Sequence, residues 1–72
     1  MSQTLGYTRM GLDNPSHNET VNKIKMQSAH LIDLIESMRT EGISGEKHRL
    51  LSHAQTEIEA ASMFAVKAVF TV

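Results

Sequence analysis

The sequence lacks cysteine and tryptophan, and its 72 residues include one proline and one tyrosine. Without cysteine, a disulfide framework and a thiolate metal site are excluded, and nothing indicates an oxidising compartment. No run of about 20 apolar residues could span a bilayer, and no charged segment followed by an apolar stretch marks an export signal. These absences predict an intracellular protein that does not enter a membrane.

A surplus of basic charge is missing as well. Seven Lys and Arg residues against eight Asp and Glu residues give a formal net charge of −1. Nonspecific binding of DNA or RNA relies on a basic surface that neutralises phosphates, so the composition argues against a DNA or RNA partner. Small anionic ligands remain compatible with this charge.

Recognisable catalytic and metal-binding patterns are absent too. Histidine pairs that bind a metal on a helix lie three or four residues apart. Here His48 and His53 are five residues apart, and His17 and His30 are isolated. The sequence has no nucleophile elbow and no phosphate-binding loop that ends in Lys-Ser or Lys-Thr. We therefore expect no metal, no cofactor, no catalytic residue and no enzymatic activity.

Residues 1–72 are expected to form one all-α domain that begins with a short N-terminal arm. Residues 1–18 have no sustained apolar period and contain Pro15, which predicts the arm. A first helix is predicted over about residues 19–41, with either Ser16 in a capping box or Asn18 as its N-cap. Its apolar stripe has helical spacing and consists of Val21, Ile24, Ser28, Leu31, Ile35 and Met38, widened by Ile32 and Leu34.

A second helix is predicted over about residues 45–69. The segment "TEGISG" should end the first helix near Gly42, and Ser44 is placed to cap the second. Because the connection is short, the two helices should form an antiparallel hairpin. The second stripe uses smaller residues that let the helices approach closely, namely Leu51, Ala54, Ile58, Ala61, Ala65 and Ala68.

The end of the chain is more apolar than a hairpin can bury. Large apolar residues of "AASMFAVKAVFTV" cover more than one helix face; they are Met63, Phe64, Val66, Val69 and Phe70. The stretch also alternates as a strand would, but its alanines and its continuity with the preceding period favour helix to about Val69. We expect copies of the chain to bury these residues in a homo-oligomer, with aggregation of an unstable monomer as the alternative.

Candidate ligand-binding residues lie mainly around the start of the first helix. Tyr7 could stack on a base, Arg9 offers a planar fork for a phosphate or a base edge, and Lys23 and Lys25 offer compact charges for phosphate. The same spacing suits a tyrosine that packs the arm and lysines that solvate the helix. Lys67 either reaches water or meets an anion near a subunit junction.

Four segments, in their order along the chain, carry a resemblance to a known family. They are "GYTR" in the arm, "NPSHNETVNKIK" at the start of the first helix, "LIDLIESM" along it and "LSHAQTEIEAASMFAVKAV" in the second helix. The sequence resembles the small phage-encoded anti-CBASS proteins that sequester cyclic oligonucleotide signals. That family shares a helical-hairpin domain with the Thoeris anti-defence sponges.

The resemblance implies a compact homo-oligomer, usually a hexamer, in the cytoplasm of the host bacterium. Such proteins bind cyclic dinucleotides between subunits and release them intact, and some also hold cyclic trinucleotides near the symmetry axis. By motif, Tyr7 would stack on a base and Lys25 would contact phosphate, whereas Lys67 stands where relatives have Arg and cannot form a bidentate phosphate fork. Two alternatives stay open: a partner-binding hairpin without a nucleotide ligand, and a sponge for cyclic ADP-ribose-type signals.

Overall fold

The computed structural model describes residues 4–72, which contain three helices and no strand. Helix α1 spans Leu5–Arg9, α2 spans Glu19–Glu36 and α3 spans Gly45–Val69. The prediction of an all-α chain is therefore confirmed, and the alternating pattern near the C-terminus is helical and not a strand. No helix in this part of the chain is long and apolar enough to cross a bilayer.

Helix α1 lies inside the predicted arm, where the sequence shows no helical period. The hydroxyl of its N-cap, Thr4, accepts a hydrogen bond from the N–H of Tyr7 at 3.1 Å. Its C-terminus closes in a Schellman motif in which Gly11 has a φ of +67°, and the N–H of Leu12 donates to the carbonyl of Tyr7 at 3.1 Å. Caps at both ends thus define a helix that is too short for periodicity to reveal.

Direct backbone packing at Gly6 holds α1 against α2. A Cβ on Gly6 would lie 2.0 Å from the carbonyl oxygen of Ala29, so a side chain cannot fit at this crossing. At the same point, the N–H of Gly6 donates a 2.7 Å hydrogen bond to the carboxylate of Asp33. The part of the arm that forms α1 is therefore packed into the fold.

The N-caps of the two long helices are Asn18 and Ser44. The side-chain oxygen of Asn18 accepts from the N–H of Val21 at 3.1 Å. The hydroxyl of Ser16, the other predicted candidate, instead accepts from the N–H of Asn18 at 3.0 Å. The capping box is thus not formed. Ser44 caps α3 as predicted, because its hydroxyl accepts a hydrogen bond from the N–H of Lys47, three residues further on, at 3.1 Å.

Helix α2 ends at Glu36, earlier than the expected end near residue 41. The hydroxyl of Ser37 donates to the carbonyl of Leu34 at 2.5 Å, and so satisfies one of the acceptors at the helix end. The next turn is tighter than an α-helix, since the N–H of Arg39 donates to the carbonyl of Glu36 three residues back. Gly42, with a φ of +86°, belongs to the connection beyond this turn.

Arg39 ties this connection to α3. Its guanidinium donates to the hydroxyl of Ser52 at 2.8 Å and lies 3.1 Å from Nδ1 of His48. At the opposite end of the hairpin, Lys25 near the start of α2 and Lys67 near the end of α3 line the same pocket. The two helices therefore run antiparallel, as the short connection predicts.

The buried residues differ in part from the predicted stripes. Buried side chains occur at Val21, Ala29, Ile32, Leu51 and Ser62. Leu31 and Leu34 are exposed because the buried face of α2 turns toward Ala29, where α1 packs. On α3, Ala61 and Ala68 are exposed, and the inward face passes through Ser62 instead.

The three helices form a thin slab. Its Cα atoms extend over 46 × 30 × 13 Å, and the radius of gyration of 13.5 Å exceeds the roughly 11 Å expected for a compact chain of this length. Large apolar side chains near the end of α3 remain uncovered, with Met63 72%, Phe64 73% and Phe70 66% exposed. A single chain therefore buries only part of its apolar surface.

Replacing Gly6 by Ala should displace α1 from α2. The new Cβ would overlap the Ala29 carbonyl, and overpacking of this kind typically costs about 1–3 kcal/mol. We expect a lower midpoint of thermal unfolding by circular dichroism at fixed protein concentration. Gly45→Ala is the matched control, since a Cβ there meets no atom within 4 Å, and it should leave the midpoint unchanged or slightly higher. Equal midpoints for the two variants would contradict this view of the crossing.

Candidate functional site

An open pocket of about 490 Å³ lies where the end of α1 meets the facing sides of α2 and α3. All three helices contribute to its wall, which consists of Arg9, Met10, Lys25, Glu59, Ser62, Met63, Val66 and Lys67. Three of the predicted ligand-binding residues, Arg9, Lys25 and Lys67, are thereby brought together although they are distant in sequence. We call this the three-helix pocket.

Arg9 reaches the pocket from the last position of α1 and pairs with Glu59 of α3. Its Nη2 lies 2.6 Å from Oε1 of Glu59, and its Nε donates to both carboxylate oxygens at 3.2 Å. Side-chain exposures of 53% for Arg9 and 21% for Glu59 place this pair at the rim. The contact joins α1 to α3, so α1 bridges both helices of the hairpin.

The carboxylate of Glu59 accepts hydrogen bonds from two side chains, those of Arg9 and Gln55. Hydrogen bonds from Arg9 lower the pKa of Glu59, its partial burial opposes this shift, and Gln55 adds a hydrogen bond at 2.9 Å. The same pair raises the pKa of Arg9, chiefly through the hydrogen bond to Glu59. Both groups therefore remain charged at neutral pH, and Glu59 holds the guanidinium at the pocket.

Lys25 and Lys67 line the pocket from α2 and α3 and make no ion pair with the residues that the structure describes. A Cβ placed on Gly11 would lie 4.0 Å from Nζ of Lys25, so the glycine turn after α1 passes close to this ammonium group. With three cationic side chains and one carboxylate, the lining carries a net positive charge. Met63 and Val66 supply apolar wall beside it.

Two predicted site residues lie outside the pocket. Tyr7 is half-buried on α1 and is not part of the lining. Residues two positions apart on a helix point in different directions, so Tyr7 does not share the side from which Arg9 enters the pocket. Lys23 lies on the exposed surface of α2 and pairs with Glu19 at 3.2 Å.

The lining suits an anion with apolar parts better than a metal. Among residues 4–72, no group of three or more potential metal ligands lies close together.

Sequence reasoning missed Glu59 and Ser62 as members of the pocket, because a single acidic residue and a single serine on a helix carry no spacing signal. Glu59 could only be found from its contact with Arg9, and Ser62 from its burial.

The Arg9–Glu59 pair should make the stability of the fold depend on pH under acidic conditions. The pKa of Glu59 is lowered in the folded state from its ordinary value of 4.5. The pair therefore stabilises the fold above pH 4.5, and this stabilisation is lost as the pH falls through the lowered pKa. Glu59→Gln should therefore reduce the unfolding midpoint near neutral pH, and its difference from the unmodified protein should shrink below pH 4.5. Unfolding in urea at several pH values measures this, and Glu57→Gln, an exposed position on the same helix, is the control. A constant difference across the acid range would contradict the assignment.

Comparison with known proteins identifies the family. A family model described as the Acb2/Tad1 hairpin domain matches residues 8–70, a range that includes the three cations of the pocket and begins one residue after Tyr7. Neither the curated proteins nor the solved structures gave a match. Since the matched range covers most of the sequence, including all of α2 and α3, the chain belongs to the Acb2/Tad1 hairpin-domain family.

Proposed function

We propose that this protein binds cyclic dinucleotides and sequesters them without cleavage. The Acb2/Tad1 hairpin domain implies, in broad terms, a sponge for cyclic nucleotide signals. The observation that carries the narrower proposal is the meeting of Arg9, Lys25 and Lys67 at one pocket between three helices. Clustered cations beside an apolar wall match a ligand that has charged phosphates and flat bases.

The chemistry of the pocket favours binding over hydrolysis. A volume of about 490 Å³ falls within the range typical of small-molecule sites. Glu59 is the carboxylate of the lining, and its oxygens already accept hydrogen bonds from Arg9 and Gln55, which leaves it poorly placed to act as a general base. Because Glu59 occupies Nε and Nη2 of Arg9, the Nη1 side of the guanidinium is left for a ligand oxygen.

A second copy of the chain would complete the site. Tyr7, the residue proposed to stack on a base, lies outside the pocket of its own protomer. A cyclic dinucleotide is two-fold symmetric or nearly so, and an isologous interface supplies each residue twice. Two copies of Tyr7 could then stack on the two bases while two copies of Lys25 meet the two phosphates.

The exposed end of α3 supports such an assembly. Met63, Phe64 and Phe70 are each about two-thirds or more exposed. Met63 and Phe64 also border a smaller depression of about 350 Å³, together with Ala60 and Lys67. Apolar surface of this kind on a thin slab is normally covered, and a second copy is the partner that would also bring Tyr7 to the ligand. We propose a homo-oligomer in the cytoplasm of the host bacterium, and the family resemblance makes six the expected number of copies.

Binding of the signal is tested by titration calorimetry against cyclic di-AMP, cyclic di-GMP, cyclic GMP–AMP and a cyclic ADP-ribose. We expect tight binding of at least one cyclic dinucleotide, and chromatography of the recovered ligand should show it intact. Recovery of a linear nucleotide would make the protein a phosphodiesterase. Binding of cyclic ADP-ribose alone would reassign the ligand, and a monomer that binds none of these compounds would favour a partner-binding hairpin.

Lys25→Ala should weaken binding of the cyclic dinucleotide and flatten the dependence of affinity on salt, because a phosphate contact is lost. Lys23→Ala is the matched control, since Lys23 lies two residues away on the same helix, is exposed and pairs with Glu19. It should leave both the affinity and the salt slope close to those of the unmodified protein. Weaker binding by Lys23→Ala with normal binding by Lys25→Ala would show that the ligand does not occupy the three-helix pocket.

Phe64→Glu should dissociate the oligomer. Phe64 is exposed in the protomer, so a charge there would change the stability of an isolated chain by no more than about 0.5 kcal/mol. In an assembly that covers Phe64, the same charge would be buried and would cost several kcal/mol. Native mass spectrometry should show smaller species for Phe64→Glu but not for Leu50→Glu, which alters an exposed apolar residue near the other end of α3. An intact oligomer with Phe64→Glu would place the interface elsewhere.

A further inference from the structure

The two long helices share a side of the hairpin that the three-helix pocket does not use. Ala29 marks the side of α2 that packs on α1, and Glu59 marks the side of α3 that pairs with Arg9 of α1. Leu31 and Ala61 each follow one of these markers by two residues, which is about 200° around a helix. Because α1 contacts both helices from one side, Leu31 and Ala61 both lie on the side away from it.

Rows of apolar residues run along this second side at helical spacing. The row on α2, continued by the turn after it, has large side chains, namely Ile24, Leu31, Ile35 and Met38. The row on α3 is mostly small and consists of Ala54, Ile58, Ala61, Ala65 and Ala68. We call the surface formed by these two rows the outer face. Its members belong to the stripes that the sequence predicts to pack within one hairpin, yet much of this surface is turned outward.

The outer face is incompletely covered within one chain. Leu31 is 46% and Met38 43% exposed, and Ala61 and Ala68 are exposed too. The other members are half-buried, namely Ile24, Ile35, Ala54, Ile58 and Ala65. Single apolar residues on a surface need no explanation, but two adjoining rows form a continuous patch, which marks an interaction site.

The large row and the small row lie at matching heights along the hairpin. The guanidinium of Arg39 donates to the hydroxyl of Ser52, which relates the heights of the two antiparallel helices. At about 1.5 Å per residue, Leu31, eight residues before Arg39, lies at nearly the height of Ala61, nine residues after Ser52. The same count pairs further members of the rows, namely Met38 with Ala54 and Ile24 with Ala68. Leu50 lies beyond the last of these pairs, toward the connection, and is outside the outer face.

A second copy of the chain fits this pattern. A two-fold axis that runs parallel to the hairpin, between two facing copies, lays α2 of each copy antiparallel on α3 of the other and keeps every residue at its own height. Large side chains of one copy then face alanines of the other, as Leu31 faces Ala61. Alanine lets the backbones approach closely, so that the rows interlock. The outer face is thus complementary to itself.

We propose that the outer face binds a second copy of this chain, and that the two hairpins form a four-helix bundle. The slab extends over 46 × 30 Å, which leaves room for the roughly 800 Å² per partner of a standard interface. The contact is separate from the exposed end of α3 and leaves the three-helix pocket of each copy open. Two different interfaces on one chain allow an assembly of more than two copies. The inference rests on the proposed homo-oligomer but not on its ligand.

Leu31→Glu should break the bundle, whereas Met26→Glu should leave it intact. Met26 lies on the same helix and is 49% exposed, close to the 46% of Leu31, but it is five residues away, about 140° around the helix. We expect Leu31→Glu to raise the concentration at which the assembly half dissociates by roughly a hundredfold or more, because the bundle would bury an unpaired charge. Analytical ultracentrifugation measures this, and circular dichroism checks the helix content. Equal dissociation of Leu31→Glu and the unmodified protein would overturn the proposal.

Cross-linking tests the facing residues directly and does not require a destabilised variant. Since the sequence has no cysteine, two chains of different mass can each carry one, Leu31→Cys in the first and Ala61→Cys in the second. When the two chains are produced together, a short bis-maleimide should join them into a mixed dimer that mass spectrometry identifies. Met26→Cys with Ala61→Cys is the matched control and should give little mixed dimer. Equal yields from both pairs would contradict the arrangement.

The outcomes separate this contact from the other proposals. A monomeric unmodified protein would refute the homo-oligomer and the bundle together. Dissociation by Phe64→Glu, with an intact assembly for Leu31→Glu and no specific cross-link, would overturn the role of the outer face alone. A specific cross-link in a protein that binds no cyclic dinucleotide would refute the proposed ligand and support the bundle.

Discussion

The contact between Gly6 and Ala29 is the constraint on which the rest of this structure depends. The backbones meet so closely that a Cβ on Gly6 would lie 2.0 Å from the Ala29 carbonyl oxygen, and the Gly6 N–H is held by Asp33 at 2.7 Å. The crossing positions α1 so that Arg9, at its C-terminal end, pairs with Glu59 of α3. The pocket therefore depends on this glycine, because α1 forms one of its three sides.

Stability and binding make opposing demands on this small chain. The single chain is a slab one helix layer thick, with few buried side chains. Within it, Lys25 and Lys67 line the same pocket and Ser62 buries an unpaired hydroxyl, features that do not stabilise an empty protein. In the proposed homo-oligomer, association of copies would offset this cost by burying Met63 and Phe64.

Local signals account for what could be predicted from the sequence. Ser44 could be identified as the N-cap of α3 because a capping hydroxyl acts only on the next three residues. Arg9, Lys25 and Lys67 could be named as candidates because their charge suits phosphate, and their role in binding stays a prediction. Periodicity did not reveal α1, which is held by its caps and by α2 rather than by an apolar stripe.

By itself, the sequence determined the helical character of the chain, the N-cap of α3 and the absence of disulfides, since propensity, spacing and composition act over a few residues. Only the tertiary structure decided which cations meet, that Glu59 restrains Arg9, that Lys23 turns outward and that Ser62 replaces Ala61 on the buried face. These features depend on the rotation of each helix about its axis, and that rotation is set by contacts such as Gly6 with Ala29 between residues far apart in the chain.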